Sequence, residues 1–321
     1  MPLPSHDSIS RRFMMAGTGA SLLLMGTRAA AAPSLSDVID PAARLRTLHS
    51  GGRWMEGPAW DPGRRMLICS DVKRNTMLRI DGARVSVFRA PSNNANGNGF
   101  DARGRLITCE HRTRRVVRQE ADGRMTVLAD RYRGKRLNSP NDLAVAADGA
   151  VWFTDPIYGI TVPDEGIRAE PEQPGRFVYR IDPSGSLTVV EGEMDQPNGI
   201  AFSPDSRTLY ISETGGALKP DGPREILAFD VVDGVRLARR RVFARLDKGI
   251  PDGLAVDRAG RVYAGIAEGV GIWSPGGERL GTIPTPKPCA NIAFGGRDGR
   301  TLFACATDSV HAITLRVAGV I

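Results

Sequence analysis

The chain is poor in the residues on which most hydrolytic chemistry depends. Its 321 residues include four histidines and four cysteines, and aromatic residues make up 6%. His6 and His49 fall near the N-terminus, which leaves His111 and His311. His311 lies in the last apolar strand pattern, where a structural role is expected. No G-x-S-x-G elbow occurs, so a Ser-His-Asp triad has no anchor. Cys69, Cys109, Cys289 and Cys305 are separated by 40, 180 and 16 positions, which matches no zinc pattern. An oxidising compartment would permit Cys289 and Cys305, which flank one hairpin, to pair. Four small residues buried in strands are the simpler reading. The formal net charge is +7, yet no aromatic interleaving or helix-turn-helix accompanies the arginines. No nucleic-acid partner is expected. The basic excess reads as a solvated surface that could steer a small anionic substrate.

A long hydrophobic run is also missing. Phe13 to Met25 is the apolar stretch of the N-terminus, about 13 residues where a span needs about 20. It follows Arg11-Arg12 and precedes an Ala29–Ala32 cleavage pattern. This combination resembles a twin-arginine signal. Residues 1–32 are therefore expected to be a cleavable signal segment. The expected partner is the twin-arginine export machinery and the expected location is the periplasm, with no stable membrane span after cleavage.

No sustained helical period appears after residue 45, but a repeat does. Six segments begin at Glu56, Asn96, Asn141, Asn198, Asp252 and Ala290, and each carries a large apolar residue four positions on. The spacings are 40, 45, 57, 54 and 38, near the period of a four-stranded propeller blade. After each comes a turn rich in Asp, Gly and Arg, then a second strand such as Ala150–Thr154 or Thr208–Ser212. The expected fold is all-β: a six-bladed β-propeller over residues 45–321, with four-stranded blades. Residues 160–175 form an insertion in the third blade, long enough to be a functional lid or a surface excursion.

In a propeller the innermost strands face one central channel, so the six aligned positions share one axis. Five of the six carry a side-chain oxygen. A lone Asn or Asp before a strand is turn chemistry. Five related by the repeat point to a shared site. Glu56, Asn141, Asn198 and Asp252 offer four oxygens to a hard cation, with water or substrate completing the shell. Facing carboxylates repel, and a bound dication removes that penalty. Calcium is expected. Magnesium also prefers oxygen, and zinc or manganese could substitute because oxygen ligands discriminate weakly.

These stretches carry a family resemblance. Glu56-Gly-Pro-Ala-Trp60, Cys109-Glu-His-Arg112, Asn138-Ser-Pro-Asn-Asp142, Trp152-Phe-Thr-Asp-Pro156, Gln196-Pro-Asn-Gly199 and Pro251-Asp-Gly-Leu254 resemble the gluconolactonase / senescence-marker-protein / luciferin-regenerating-enzyme family. The resemblance implies metal ligands at Glu56, Asn198 and Asp252, and an Asn at Asn141 that binds metal or substrate. Some animal members have an Arg where this chain has Ser139, so sugar recognition should differ from theirs. The implied activity is metal-dependent hydrolysis of a sugar lactone, glucono-1,5-lactone or a similar aldonolactone, to the aldonic acid. The metal would polarise the carbonyl, and Asp252 would be the general base for water. Asn96, His111 and Tyr158 are candidate substrate-binding wall residues. Two alternatives stay open: hydrolysis of another lactone or an organophosphate, and a non-catalytic calcium-binding propeller.

Overall fold

The computed structural model describes residues 34–320, so the expected signal segment lies outside the described residues. Six four-stranded antiparallel sheets follow one another along the chain. Blade 1 runs through Met55–Asp61, Met66–Asp71, Thr76–Asp81 and Arg84–Arg89. Blade 2 comprises Ala95–Phe100, Leu106–Glu110, Arg115–Gln119 and Met125–Ala129. Blade 3 comprises Leu143–Val145, Val151–Asp155, Arg176–Ile181 and Leu187–Met194. Blade 4 comprises Pro197–Phe202, Thr208–Glu213, Glu225–Val232 and Arg236–Arg245. Blade 5 comprises Leu254–Val256, Val262–Ile266, Gly269–Trp273 and Arg279–Pro284. Blade 6 takes Asn291–Gly295, Thr301–Ala306 and Ser309–Thr314 from the C-terminal end. Its fourth strand is Arg46–Ser50 from the N-terminal end, paired antiparallel to Ser309–Thr314. That pairing joins the two ends of the propeller within one blade and so closes the ring.

The core is divided among the six gaps between blades. Leu67 and Cys69 pack with Phe303 and Cys305 in the gap between blades 1 and 6. Their neighbours Met66 and Ile68 face blade 2 and pack on Ala95 and Leu106. Successive side chains of a strand point to opposite faces, and here both faces are covered. This is why the second strands read as unbroken apolar runs rather than alternating ones. The same layering recurs between blades 2 and 3, 3 and 4, 4 and 5, and 5 and 6. The last of these layers also takes Leu35, Val38 and Ile39. The propeller unit therefore includes residues ahead of position 45, pinned further by the Arg316 N–H to Val38 carbonyl bond at 2.8 Å.

The innermost strands crowd the axis, and glycine makes this possible. Gly57, Gly97, Gly199 and Gly253 each follow one of the aligned polar positions. A Cβ on Gly57 would sit 2.0 Å from the Asn96 carbonyl oxygen, and one on Gly199 would sit 2.3 Å from that of Asp252. Only a residue without a side chain admits such an approach.

Candidate active site on the propeller axis

All six aligned positions face one cavity of about 290 Å³ at the strand-start end of the axis. Glu56, Asn96, Asn141, Asn198, Asp252 and Ala290 line it, with Tyr158 and Glu165 on one side. Ala217, Leu218, Ile250, Ile266, Ala267, Pro288 and Cys289 complete an apolar arc from blades 4 to 6. The opposite mouth, at the strand ends, is lined by Asp142 and Asn291 among others.

The ring residues are held by a device that sequence reading missed. The Ser70 hydroxyl donates to the Asn96 carbonyl at 2.8 Å. The Thr154 hydroxyl donates to the Asn198 carbonyl at 2.7 Å. The Ser212 hydroxyl donates to the Asp252 carbonyl at 2.7 Å. The Cys305 thiol reaches the Glu56 carbonyl at 3.8 Å. In each case the second strand of one blade holds the ring residue of the next. The signal was present in the repeat: all four donors stand near the end of their second strand. All four cysteines are buried free thiols, with no Cys289–Cys305 disulfide.

The electrostatics of the cavity are dominated by crowded acid. Burial pushes the Glu56 carboxyl well above the usual range, and the charges of Asp252 and Asp142 push it further. Asp252 is raised well above its usual range by burial, then by Asp142 and Glu165. Asp252 Oδ1 and Asn96 Oδ1 are buried, and neither has a hydrogen-bond partner among the described residues. Unsatisfied buried oxygens are costly and call for a partner. Among the described residues no three His, Cys, Asp or Glu side chains form a metal cluster. The convergent set is instead two carboxylates with amide oxygens, a hard donor set suited to calcium or magnesium. Positive charge between Glu56 and Asp252 would counter the repulsion that lifts both. The residues present therefore fit a divalent cation, which Glu56, Asp252 and the Asn141 and Asn198 amides would hold.

The three wall candidates stand differently. Asn96 faces the cavity. Tyr158 lines it too, but its hydroxyl is committed to Thr214 Oγ1 at 2.6 Å, so its ring is what it offers. His111 is fully buried and is not part of the lining; it stands behind Asn96, its Nε2 at 3.3 Å from Asn96 Nδ2. Ser139 is buried as well, donating to the Pro156 carbonyl at 2.6 Å and accepting from Gly159 N–H at 3.0 Å. It supports the single helical turn Tyr158–Thr161 rather than reaching the axis.

That turn opens the 160–175 insertion, which contributes to one side of the cavity. Val162 and Glu165 reach the lining. Asp164 pairs with Arg53 at 3.0 Å, Glu165 with Lys73 at 3.5 Å, and Asn94 Nδ2 donates to the Asp164 carbonyl at 3.0 Å. The insertion of blade 3 is thus tied down on blades 1 and 2. Sequence reading gave Glu165 no role, because nothing local marks a loop carboxylate as axial.

Known proteins share this architecture. The family described as SMP-30/Gluconolactonase/LRE-like region matches residues 54–307. A gluconolactonase of Zymomonas mobilis is 33% identical over 89% of this chain and 85% of its own length. The structure of a gluconolactonase from Xanthomonas campestris superposes with a TM-score of 0.82 at 42% identity, covering 88% of this chain and 92% of that one. A calcium-binding protein, regucalcin, from Agrobacterium tumefaciens shares the fold at a TM-score of 0.70 and 19% identity, over 87% of this chain and 96% of that one. With the family match spanning most of the propeller and the whole aligned ring, this chain belongs to the SMP-30/gluconolactonase/LRE-like family.

Proposed function

We propose that this lactone hydrolase opens a sugar lactone, glucono-1,5-lactone or a similar aldonolactone, in the axial cavity, with a divalent cation held by Glu56, Asn141, Asn198 and Asp252. One observation carries the reading: two raised carboxylates and amide oxygens from different blades converge on a single cavity, and one carboxylate oxygen is left without a partner. The relatives named gluconolactonase support the substrate class. The oxygen donor set favours a hard cation such as calcium.

When bound, the cation would supply Lewis-acid polarisation of the lactone carbonyl and charge for the developing oxyanion. Asp252 is the general base. Its carboxylate takes the proton from the attacking water. Asn96 and the Tyr158 ring form the wall against which the sugar ring is oriented. The water oxygen bonds to the carbonyl carbon, the acyl C–O bond of the ring breaks, the proton taken up by Asp252 passes to the released alkoxide oxygen, and an aldonic acid leaves.

In the same reading the chain is exported through the twin-arginine route and works in the periplasm. The deciding experiment is hydrolysis of glucono-1,5-lactone by metal-stripped protein, with calcium, magnesium, zinc or manganese restored in turn. Rates are corrected for spontaneous opening. Activity restored by calcium supports the proposal. No turnover above the spontaneous rate with any metal ends it.

A further inference from the structure

His111 does not line the cavity, yet it is buried among groups that leave its ring no freedom. Its Nδ1 lies 3.1 Å from the Glu165 backbone carbonyl, which can only accept, so Nδ1 carries the proton. Burial pushes the imidazole down to about 4, which keeps the ring neutral. A neutral ring with a protonated Nδ1 presents Nε2 as an acceptor. The group facing Nε2 is the Asn96 side chain at 3.3 Å, and it must present its N–H. The Asn96 amide is therefore turned so that Oδ1 points away from His111, and Oδ1 is a buried oxygen without a protein partner. Gly159 permits the arrangement, since a Cβ there would lie 2.5 Å from His111 Cβ.

We propose that His111 is a positioning residue that fixes the orientation of the Asn96 amide, with Oδ1 as its unpaired acceptor at the cavity wall, so that the site selects lactones offering a hydroxyl donor at that point. This rests on the lactone-hydrolase reading for its substrate. The relay runs from the insertion, through the Glu165 carbonyl and the His111 ring, to the Asn96 oxygen, and links three separate parts of the chain. An amide free to rotate could meet a substrate hydroxyl with either face. A fixed oxygen rewards a donor and leaves a buried acceptor unpaired when the donor is missing.

Two measurements test it. The first is imidazole nitrogen NMR of the wild-type protein. A protonated Nδ1 and an unprotonated Nε2 are expected for His111 at neutral pH. Protonated Nε2 would reverse the Asn96 amide and overturn the proposal. The second compares glucono-1,5-lactone with unsubstituted δ-valerolactone. His111→Phe should lower kcat/KM on the hydroxylated lactone roughly tenfold, mainly through KM, while the value on δ-valerolactone stays within about twofold. His111→Gln, which can accept and donate at the same two points, should recover most of the loss. An equal loss on both lactones assigns His111 a merely structural role and overturns the proposal. If His111→Phe does not fold, the tautomer and the His111→Gln kinetics decide. If the wild type hydrolyses no lactone, the functional reading fails separately and the tautomer still decides the relay.

Discussion

Asn291 Nδ2 donates to Asp142 Oδ2 at 3.2 Å, joining residues 149 positions apart across the propeller axis. Each stands directly after an aligned ring position, in blades 3 and 6, which face each other. The other four blades have Gly57, Gly97, Gly199 and Gly253 at this position. Each polar residue also caps its own strand: Asp142 Oδ1 accepts from Leu143 N–H at 2.9 Å, and Asn291 Oδ1 from Ile292 N–H at 2.8 Å. Two side chains thus bridge a space that four glycines vacate. The bridge lies between the ring cavity and the opposite mouth.

The bridge makes a stability prediction with an internal control. A Cβ on Gly253 would lie 2.0 Å from Asn291 Oδ1, a side-chain atom. One on Gly97 would lie 2.5 Å from the Asn141 carbonyl and 2.7 Å from Asp142 Cα, both backbone. Gly253→Ala and Gly97→Ala should each destabilise by about 1–3 kcal/mol. Adding Asn291→Ala should relieve Gly253→Ala, whereas Asp142→Ala should not relieve Gly97→Ala. Urea midpoints of the four variants measure this, and equal rescue in both pairs would refute it.

Ring acids should make the metal-free protein sensitive to pH. Free carboxyls titrate near about 4. Folded Glu56 and Asp252 titrate higher, because burial and neighbouring acid disfavour their charge. Between those values the folded state binds more protons than the unfolded, so stability falls as pH rises. Calorimetry of metal-stripped protein should show a melting temperature that drops as the pH climbs above about 4. Glu56→Gln should flatten the drop, and calcium should reverse it in the wild type alone. A wild-type curve without the drop would count against the acid pair.

Asp252 and Glu56 should also separate kinetically. Asp252→Asn should cut lactone turnover by about 10²–10⁴-fold while the fold and its circular dichroism stay intact. Glu56→Gln should weaken calcium binding, measured by titration calorimetry, and recover part of its activity at high calcium. Full turnover in Asp252→Asn would remove it from the base role.

The blade-to-blade clamps predict coupling between a hydroxyl and the site. Ser212→Ala removes the donor that holds the Asp252 carbonyl at 2.7 Å. The loss should cost about 1–3 kcal/mol in denaturant unfolding and lower kcat as well. Ser184→Ala, at an exposed turn of blade 3, should do neither. Unchanged kinetics for Ser212→Ala would mean the clamp does not position the base.

Export is tested on the full chain. Replacing Arg11 and Arg12 by Lys should leave the protein in the cytoplasm at its unprocessed mass, whereas the unaltered chain should be found in the periplasmic fraction, shortened by about its first 32 residues. Periplasmic recovery of both would exclude the twin-arginine route.

Much of the molecule is legible in its sequence. The aligned Glu56, Asn96, Asn141, Asn198, Asp252 and Ala290 predicted one axis, and all six line one cavity. The second strands were readable because burial on both faces leaves continuous apolar runs, as in Thr208–Glu213. Arg46–Ser50 was missed as a blade strand, since its partner lies at the far end of the chain. His111 was readable as part of a motif but was placed one layer too close to the axis. A motif records residue type and spacing, and the depth of a side chain depends on what packs over it.

What sequence alone determined here is whatever repeats: the blade period, the strand order within a blade, and the polar residue at each inner-strand start. Those follow from local alternation and turn chemistry, which neighbours along the chain suffice to express. The tertiary structure alone decided which oxygens are left without partners, that the insertion of blade 3 is pinned to blades 1 and 2, and that Asp142 meets Asn291. Each of these depends on distances between residues remote in the chain, and such distances exist only once the ring of blades has closed.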